Sequence, residues 1–279
     1  MIRRRIAKEP TSRLAIWARR CALFSLAATV LLIIIIRGNL IELGPSLGAV
    51  AGALAISGIA ILLALGALIV IWREGIEGLA PALLAMVIGA GLLAYPAYLA
   101  TKFVRTPAIS DVTTDTRDPP RFDQLAQIRR GMAAYPGQTI AARQQAAYPD
   151  IEPLVVAASV QVAFEAARSV ITKRKWTIIS DRAPGPAAAR RDAQIEAVAR
   201  TTVLGFREDI VVRVRSAPDG ARIDVRSASR YAAHDLGSNA ARVRSLVEEI
   251  DDAVATILEE RQRRQAKQAT PKAPQPARR

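Results

Sequence analysis

Apolar residues fill the chain from Cys21 to Ala100, where the only ionisable side chains are Arg37, Glu42, Arg73, Glu74 and Glu77. These charges form two clusters and divide the stretch into apolar runs at 21–36, 46–72 and 79–100. A bilayer core of about 30 Å is crossed by about 20 helical residues, a length the second and third runs reach. The first is shorter, but Arg20 and Arg37 at its ends can extend to the head groups. A cleaved signal peptide is the alternative for that run, yet Arg37-Gly38-Asn39-Leu40 offers no small-residue cleavage site. A soluble helical core would need polar faces that these runs lack. The pattern predicts a three-helix membrane anchor over 21–100.

Beyond it, 102–151 is polar and punctuated by Pro107, Pro119, Pro120, Pro136 and Pro149, with one short helical pattern at 122–130. Regularity begins after Glu152. A short apolar strand at 153–158 precedes an amphipathic helix. There Gln161, Glu165, Arg168 and Thr172 lie opposite Val162, Ala163, Ala166, Val170 and Ile171. Strand patterns follow at 176–180 and 195–204, then a hairpin of 209–215 and 222–230. Asp219-Gly220 is a strong two-residue turn signal. Taken as the turn, it sets Val214 opposite Val225, Arg215 opposite Asp224, Arg213 opposite Arg226 and Asp209 opposite Arg230. Ile210, Val212, Val214, Ile223 and Val225 then share one face, and the arginines share the other. Asn239 is placed to cap a last helix whose stripe is Val243, Leu246, Val247, Ile250, Val254, Ile257 and Leu258. The expected fold class is α+β: after the three N-terminal transmembrane helices comes a two-layer domain, a mainly antiparallel sheet with two helices on one face. The expected divisions are 1–20 leader, 21–100 anchor, 101–260 soluble domain and 261–279 basic tail, disordered for want of anything to bury.

The net charge of +14 changes meaning once it is located. Seven basic residues and one acid precede the first run, and seven basic residues and no acid follow Glu260, whereas 101–260 holds 23 basic and 21 acidic residues. The folded part is nearly neutral, so a nucleic-acid footprint on it is not expected. Basic residues flanking a first span are retained in the cytoplasm. With three crossings this puts the N-terminus in the cytoplasm and the domain outside it. The basic tail is either a solubilising end or an adhesive for anionic lipid or envelope polymer. Gly44, Gly48 and Gly52, four apart, permit close helix approach, within the chain or in a homo-oligomer. The spans carry no charge between their ends, which favours an anchor over a transporter.

Candidate chemistry is sparse. One cysteine, Cys21, and one histidine, His234, leave no intrachain disulfide, thiolate cluster or multi-histidine metal site, and no cofactor is expected. Asp111-x-Thr113-x-Asp115 begins like a calcium loop, but Thr116 and Phe122 stand where glycine and the bidentate acid belong. No Gly-x-Ser-x-Gly elbow or phosphate loop occurs. Asp111, Asp115, Asp150 and Asp235 are the acids a paired-carboxylate hydrolase would draw on. Arg226 and Arg230, with Ser227 or Ser229 and Asn239, suit an anionic group such as a phosphate or carboxylate. Alternatively these arginines pair on a solvated face or tie the strand to the loop of Asp111 and Asp115.

The segments Asp111-Val112-Thr113-Thr114-Asp115, Pro119-Pro120 with Phe122, Tyr135-Pro136-Gly137 and Tyr148-Pro149-Asp150 form a recognisable set. Gly205-Phe206, Arg226-Ser227-Ala228-Ser229-Arg230 and Asp235-Leu236-Gly237 with Asn239 and Arg242 complete it. Over 106–260 this resembles the bacterial domain of unknown function 1499, and three spans ahead of it resemble the alphaproteobacterial members. Ala232 and Ala233 depart from the glycine often found before the Asp-Leu-Gly step. The resemblance implies a bacterial envelope protein without an established activity. Two functions are carried forward. One is a membrane-anchored extracytoplasmic binding or scaffold module whose partners are the bilayer and an anionic envelope ligand or a protein. The other is an envelope enzyme built on the aspartates of 106–123. A pocket joining the loop acids to Arg226 and Arg230 favours the enzyme.

Overall fold

A computed structural model describes residues 10–128, 134–185, 192–231 and 233–269. It divides into two compact units, Met1–Arg105 with Thr202–Gly205, and Thr106–Thr201 with Phe206–Arg279.

The first unit contains α1 (Arg13–Arg37), α2 (Leu43–Glu74) and α3 (Leu79–Arg105), each long and apolar enough to cross a membrane. The first helix begins inside the basic leader, where the Ser12 hydroxyl accepts the Ala15 N–H. Its packing is inverted relative to a soluble bundle. The seam between the helices is alanine (Ala15, Ala18, Ala22, Ala60, Ala64, Ala67, Ala82 and Ala85, all fully buried), while Phe24, Leu31, Ile34, Leu62 and Val87 face outward. Small residues let backbones approach where lipid supplies no hydrophobic drive between helices. The Ser25 hydroxyl donates to Ala53 O (2.7 Å) and that of Ser57 to Gly89 O (3.3 Å), stitching α1 to α2 and α2 to α3.

The glycine stripe expected to pack within the chain does not. A Cβ on Gly44, Gly48 or Gly52 would meet nothing within 4 Å, whereas one on Gly89 would lie 2.6 Å from Ile61 Cγ1 and 3.3 Å from Ser57 O. Gly89→Val is therefore expected to cost about 1–3 kcal/mol by overpacking, and Gly48→Val to leave thermal unfolding of the detergent-solubilised protein unchanged.

In the second unit β1 (Asp111–Thr113), α4 (Gln124–Ile128), α5 (Gln138–Ala147) and β2 (Leu154–Val156) lead into α6 (Val160–Lys173). Then come β3 (Thr177–Arg182), β4 (Ala193–Arg200), β5 (Arg207–Ala217), β6 (Gly220–Ser229) and α7 (Ser238–Ala269). One antiparallel sheet runs β1-β6-β5-β4-β3, with β2 beside β1 along the same edge of β6. One face meets α6 and α7, where Val162, Ile171, Val243, Leu246 and Ile250 close over Ile195, Ile210, Val212, Ile223 and Val225. Each such side chain contributes about 1.5–3 kcal/mol on burial. The opposite face is covered as well: Phe122 and Leu125 pack on Val198, Val211 and Ala228.

Several elements differ from the sequence expectation. The hairpin pairs Ala217 with Gly220, so Val214 faces Ile223 and Arg213 faces Asp224, a shift of two residues. The central residues of the turn are thus Pro218 and Asp219; proline's fixed negative φ suits the first central position of a turn, and the one positive φ of the turn falls on Gly220 (+136°), which closes it. An even shift preserves both faces. Helix α5 is an unpredicted element; its run of alanine and glutamine has good helix propensity but no apolar stripe. Asn239 is not a cap: Asp235 accepts the N–H groups of Gly237 and Asn239 and so starts α7. That helix runs through Ala269, correcting the disordered tail over 261–269, while 270–279 lies outside the described residues. Of the departing pair, Ala232 also lies outside them; the left-handed step here is Leu236-Gly237 (φ 58° and 75°).

Candidate functional site

On the face away from α6 and α7, alternate residues of β5 and β6 present Arg213, Arg215, Arg222, Asp224 and Arg226. The segment after β1 crosses this face and supplies acids. Asp224, fully buried, accepts from Arg213 Nη2 at 2.9 Å and Arg222 Nε at 2.9 Å, with Arg215 Nε at 3.3 Å. Asp118 accepts from Arg213 at 3.0 Å and Arg215 at 3.1 Å. Asp115 accepts from Arg222 at 2.5 Å and, through its other oxygen, from the N–H groups of Arg117 and Asp118. Burial pushes the Asp115 pKa up, but those two N–H groups and the charges of Arg222 and Arg213 outweigh it and hold the carboxyl below its ordinary value. Three carboxylates and three guanidiniums thus neutralise one another. Glu196 of β4, also buried, accepts the N–H groups of Asp123, Gln124 and Leu125 and caps α4.

Beside this network lies a second pair. Asp111 and Arg226 are diagonal neighbours across β1 and β6, Asp111 being opposite Ala228. Arg226 is 1% exposed. It donates Nε to Asp111 Oδ1 (2.9 Å), Nη2 to Oδ2 (2.7 Å) and Nη1 to Pro120 O (3.0 Å). Its guanidinium lies over the rings of Phe122 (4.6 Å) and Tyr135 (5.4 Å). The Tyr135 hydroxyl is buried with no hydrogen-bond partner among the described residues, and burial, with Asp111 nearby, pushes its pKa up to about 12. Next to this stack opens a cleft of about 500 Å³, walled by Arg117, Asp118, Arg121, Phe122, Tyr135 and Arg226 over Pro119, Ala126 and Ala134.

The remaining expected residues lie elsewhere. Ser229 and Asn239 face α7: Asn239 donates to Ser229 Oγ (2.9 Å) and accepts from Ser227 (2.8 Å) and Arg242 (2.8 Å). Arg242 also bonds Glu208, and burial pulls its pKa down to about 10, which leaves it charged. Asp235 is the helix cap, its pKa raised by burial against the pull of the Asn239 and Gly237 N–H groups. Arg230 pairs with Asp209 (2.6 Å), away from the loop acids. Asp150 holds Arg244. The His234 Nδ1 accepts the Leu236 N–H (3.0 Å) and Nε2 lies 3.0 Å from Thr106 O, so the ring bridges a turn. Among the described residues no group of three histidine, cysteine or acidic side chains could hold a metal ion.

The seven expected residues are therefore spread over both faces of the sheet. Among them Asp111 meets Arg226, and Asn239 meets both Ser229 and, through its N–H, Asp235. The cleft walls at Arg117, Arg121 and Tyr135 were not expected. Their one sequence signal was that Pro119-Pro120 with Phe122, and Tyr135-Pro136-Gly137, are among the segments that carry the family resemblance.

The sequence profile described as Protein of unknown function (DUF1499) matches residues 111–250. The chain belongs to the DUF1499 family. Comparison with curated proteins gives no match. In this DUF1499 chain the matched span begins at the aspartate that clamps Arg226 and ends at Ile250 in the core of α7, so it takes in the whole sheet, α6 and the first part of α7.

Proposed function

We propose that the protein is a membrane-anchored binding or scaffold module of the bacterial envelope. In this reading α1–α3 cross the inner membrane, the basic N-terminus stays in the cytoplasm, and the DUF1499 domain stands in the periplasm. The observation that carries it is the inverted bundle, alanine within and large apolar side chains without, which suits lipid as the surrounding solvent. Seven basic residues against one acid ahead of the first span support the orientation. The open face at Gly44, Gly48 and Gly52 is left to lipid or to a second copy.

Binding is favoured over catalysis because the acids an enzyme would use are engaged. Asp111, Asp115 and Asp118 each accept from arginine, and Asp115 is held below its ordinary pKa instead of being poised as an acid near neutrality. An envelope enzyme on loop 106–123 would have to break this network before using it.

Reporter fusions at Arg279 test the orientation. Alkaline phosphatase is expected to be active there and green fluorescent protein dark. The reverse pattern places the domain in the cytoplasm and overturns the reading.

A further inference from the structure

We propose that the cleft beside Arg226 binds an organic anion, a carboxylate or phosphate ester attached to an apolar body, with Arg117 and Arg121 holding the charged end. The proposal rests on the reading of this domain as a binding module and names its ligand class.

Three features point the same way. The first is charge. Arg117 and Arg121 are exposed at the cleft and have no ion-pair or hydrogen-bond partner for their side chains among the described residues. The one carboxylate on the wall, Asp118, is turned to Arg213 and Arg215. The charge of Arg226 is offset by Asp111. The uncompensated charge of the cleft is therefore positive, on groups whose planar forks match the oxygens of carboxylate or phosphate.

The second is the rest of the lining. Phe122 and Tyr135 both lie against the Arg226 guanidinium, and Pro119, Ala126 and Ala134 complete an apolar surface. A volume of about 500 Å³ is that of a small-molecule site. An inorganic ion would leave most of this surface wet, so the ligand carries an apolar portion as well as its charge.

The third is an unsatisfied donor. The Tyr135 hydroxyl has no partner among the described residues, and its raised pKa keeps the proton on it at neutral pH. Buried polar groups are nearly always paired. A ligand oxygen settling at this ring, with a small turn of the side chain, supplies the missing acceptor. The two sources of such an anion are a lipid head group and a soluble metabolite or cell-wall fragment.

The full chain in neutral detergent is titrated with phenyl phosphate and with inorganic phosphate by calorimetry. Phenyl phosphate is expected to bind saturably, at least tenfold more tightly than inorganic phosphate. The double variant Arg117→Gln/Arg121→Gln should lose at least tenfold in affinity. Arg143→Gln, an exposed charge off the cleft, should lose none. Ala134→Phe, which fills the cleft without altering charge, should also abolish binding, and thermal melts confirm that the variants fold. Nanodiscs of phosphatidylglycerol, compared with phosphatidylcholine, separate the sources. Competition by the anionic discs that depends on Arg117 and Arg121 identifies a head group, and binding of phenyl phosphate without such competition identifies a soluble anion. Absence of binding by every probe, or equal weakening by Arg143→Gln, overturns the site. Neither result bears on orientation, which the reporter fusions read separately.

Discussion

Asp111→Ala is expected to destabilise the domain by about 3–5 kcal/mol, the cost of removing one partner from a buried ion pair. Arg226 is among the largest fully buried side chains of the protein, and two of its hydrogen bonds go to this carboxylate. Without it the guanidinium keeps the Pro120 carbonyl and the faces of Phe122 and Tyr135, none of which carries a countercharge. Urea unfolding of the detergent-solubilised chain, followed by limited proteolysis, measures the loss. The double replacement Asp111→Val/Arg226→Met should recover most of it, because apolar groups of similar volume replace a buried pair at little net cost. A loss below about 1 kcal/mol, the range of solvated pairs, would mean that water reaches the pair and that it does not hold the loop to the sheet. The experiment also separates two uses of Arg226: a clamp fails by unfolding, a ligand-binding arginine by loss of binding alone.

Gly220→Ala is the second large effect. A side chain at φ +136° is strained by about 1–3 kcal/mol. Here the new Cβ would also overlap the Val156 carbonyl oxygen and lie 2.9 Å from the Ala158 nitrogen. Those are backbone atoms at the end of β2, which pairs with β6 at Ala221, Arg222 and Ile223. The strand must retreat, so the loss should exceed the strain alone, at about 3 kcal/mol or more. Asp219→Ala, at the exposed neighbour, should stay within about 0.5 kcal/mol. Comparable losses at both positions would instead indicate the Asp219-Gly220 turn that the sequence suggests.

Both effects arise where segments distant in sequence meet, and this separates what could be read in advance from what could not. The three apolar helices, the stripe on α6 and most of that on α7, and the inward set Ile210, Val212, Val214, Ile223 and Val225 were all legible. Periodicity is a local property: burial selects residues two apart on a strand and three or four apart on a helix, and no knowledge of the partner is needed. That is also why the faces of the hairpin survived a two-residue error in its register. The short helix α5, with no apolar stripe, and the three-residue strand β1 carried too little pattern to be found.

The partners of the polar residues obey no such local rule. Arg226 and Ser227 are adjacent in sequence yet serve opposite faces of the sheet, one clamping Asp111 and the other bonding Asn239. Asp111 and Arg226 are 115 residues apart and touch only because β1 docks on the edge of β6. Polar residues have no period to announce their partners. The pairing of each charge, and with it the choice of which arginines remain at the cleft to meet a ligand, follows from chain crossings. By itself the sequence determined the helices and the burial pattern of the strands, through local periodicity. Only the tertiary structure decided which charges are spent on folding, because a charge takes its role from whatever distant segment packs against it.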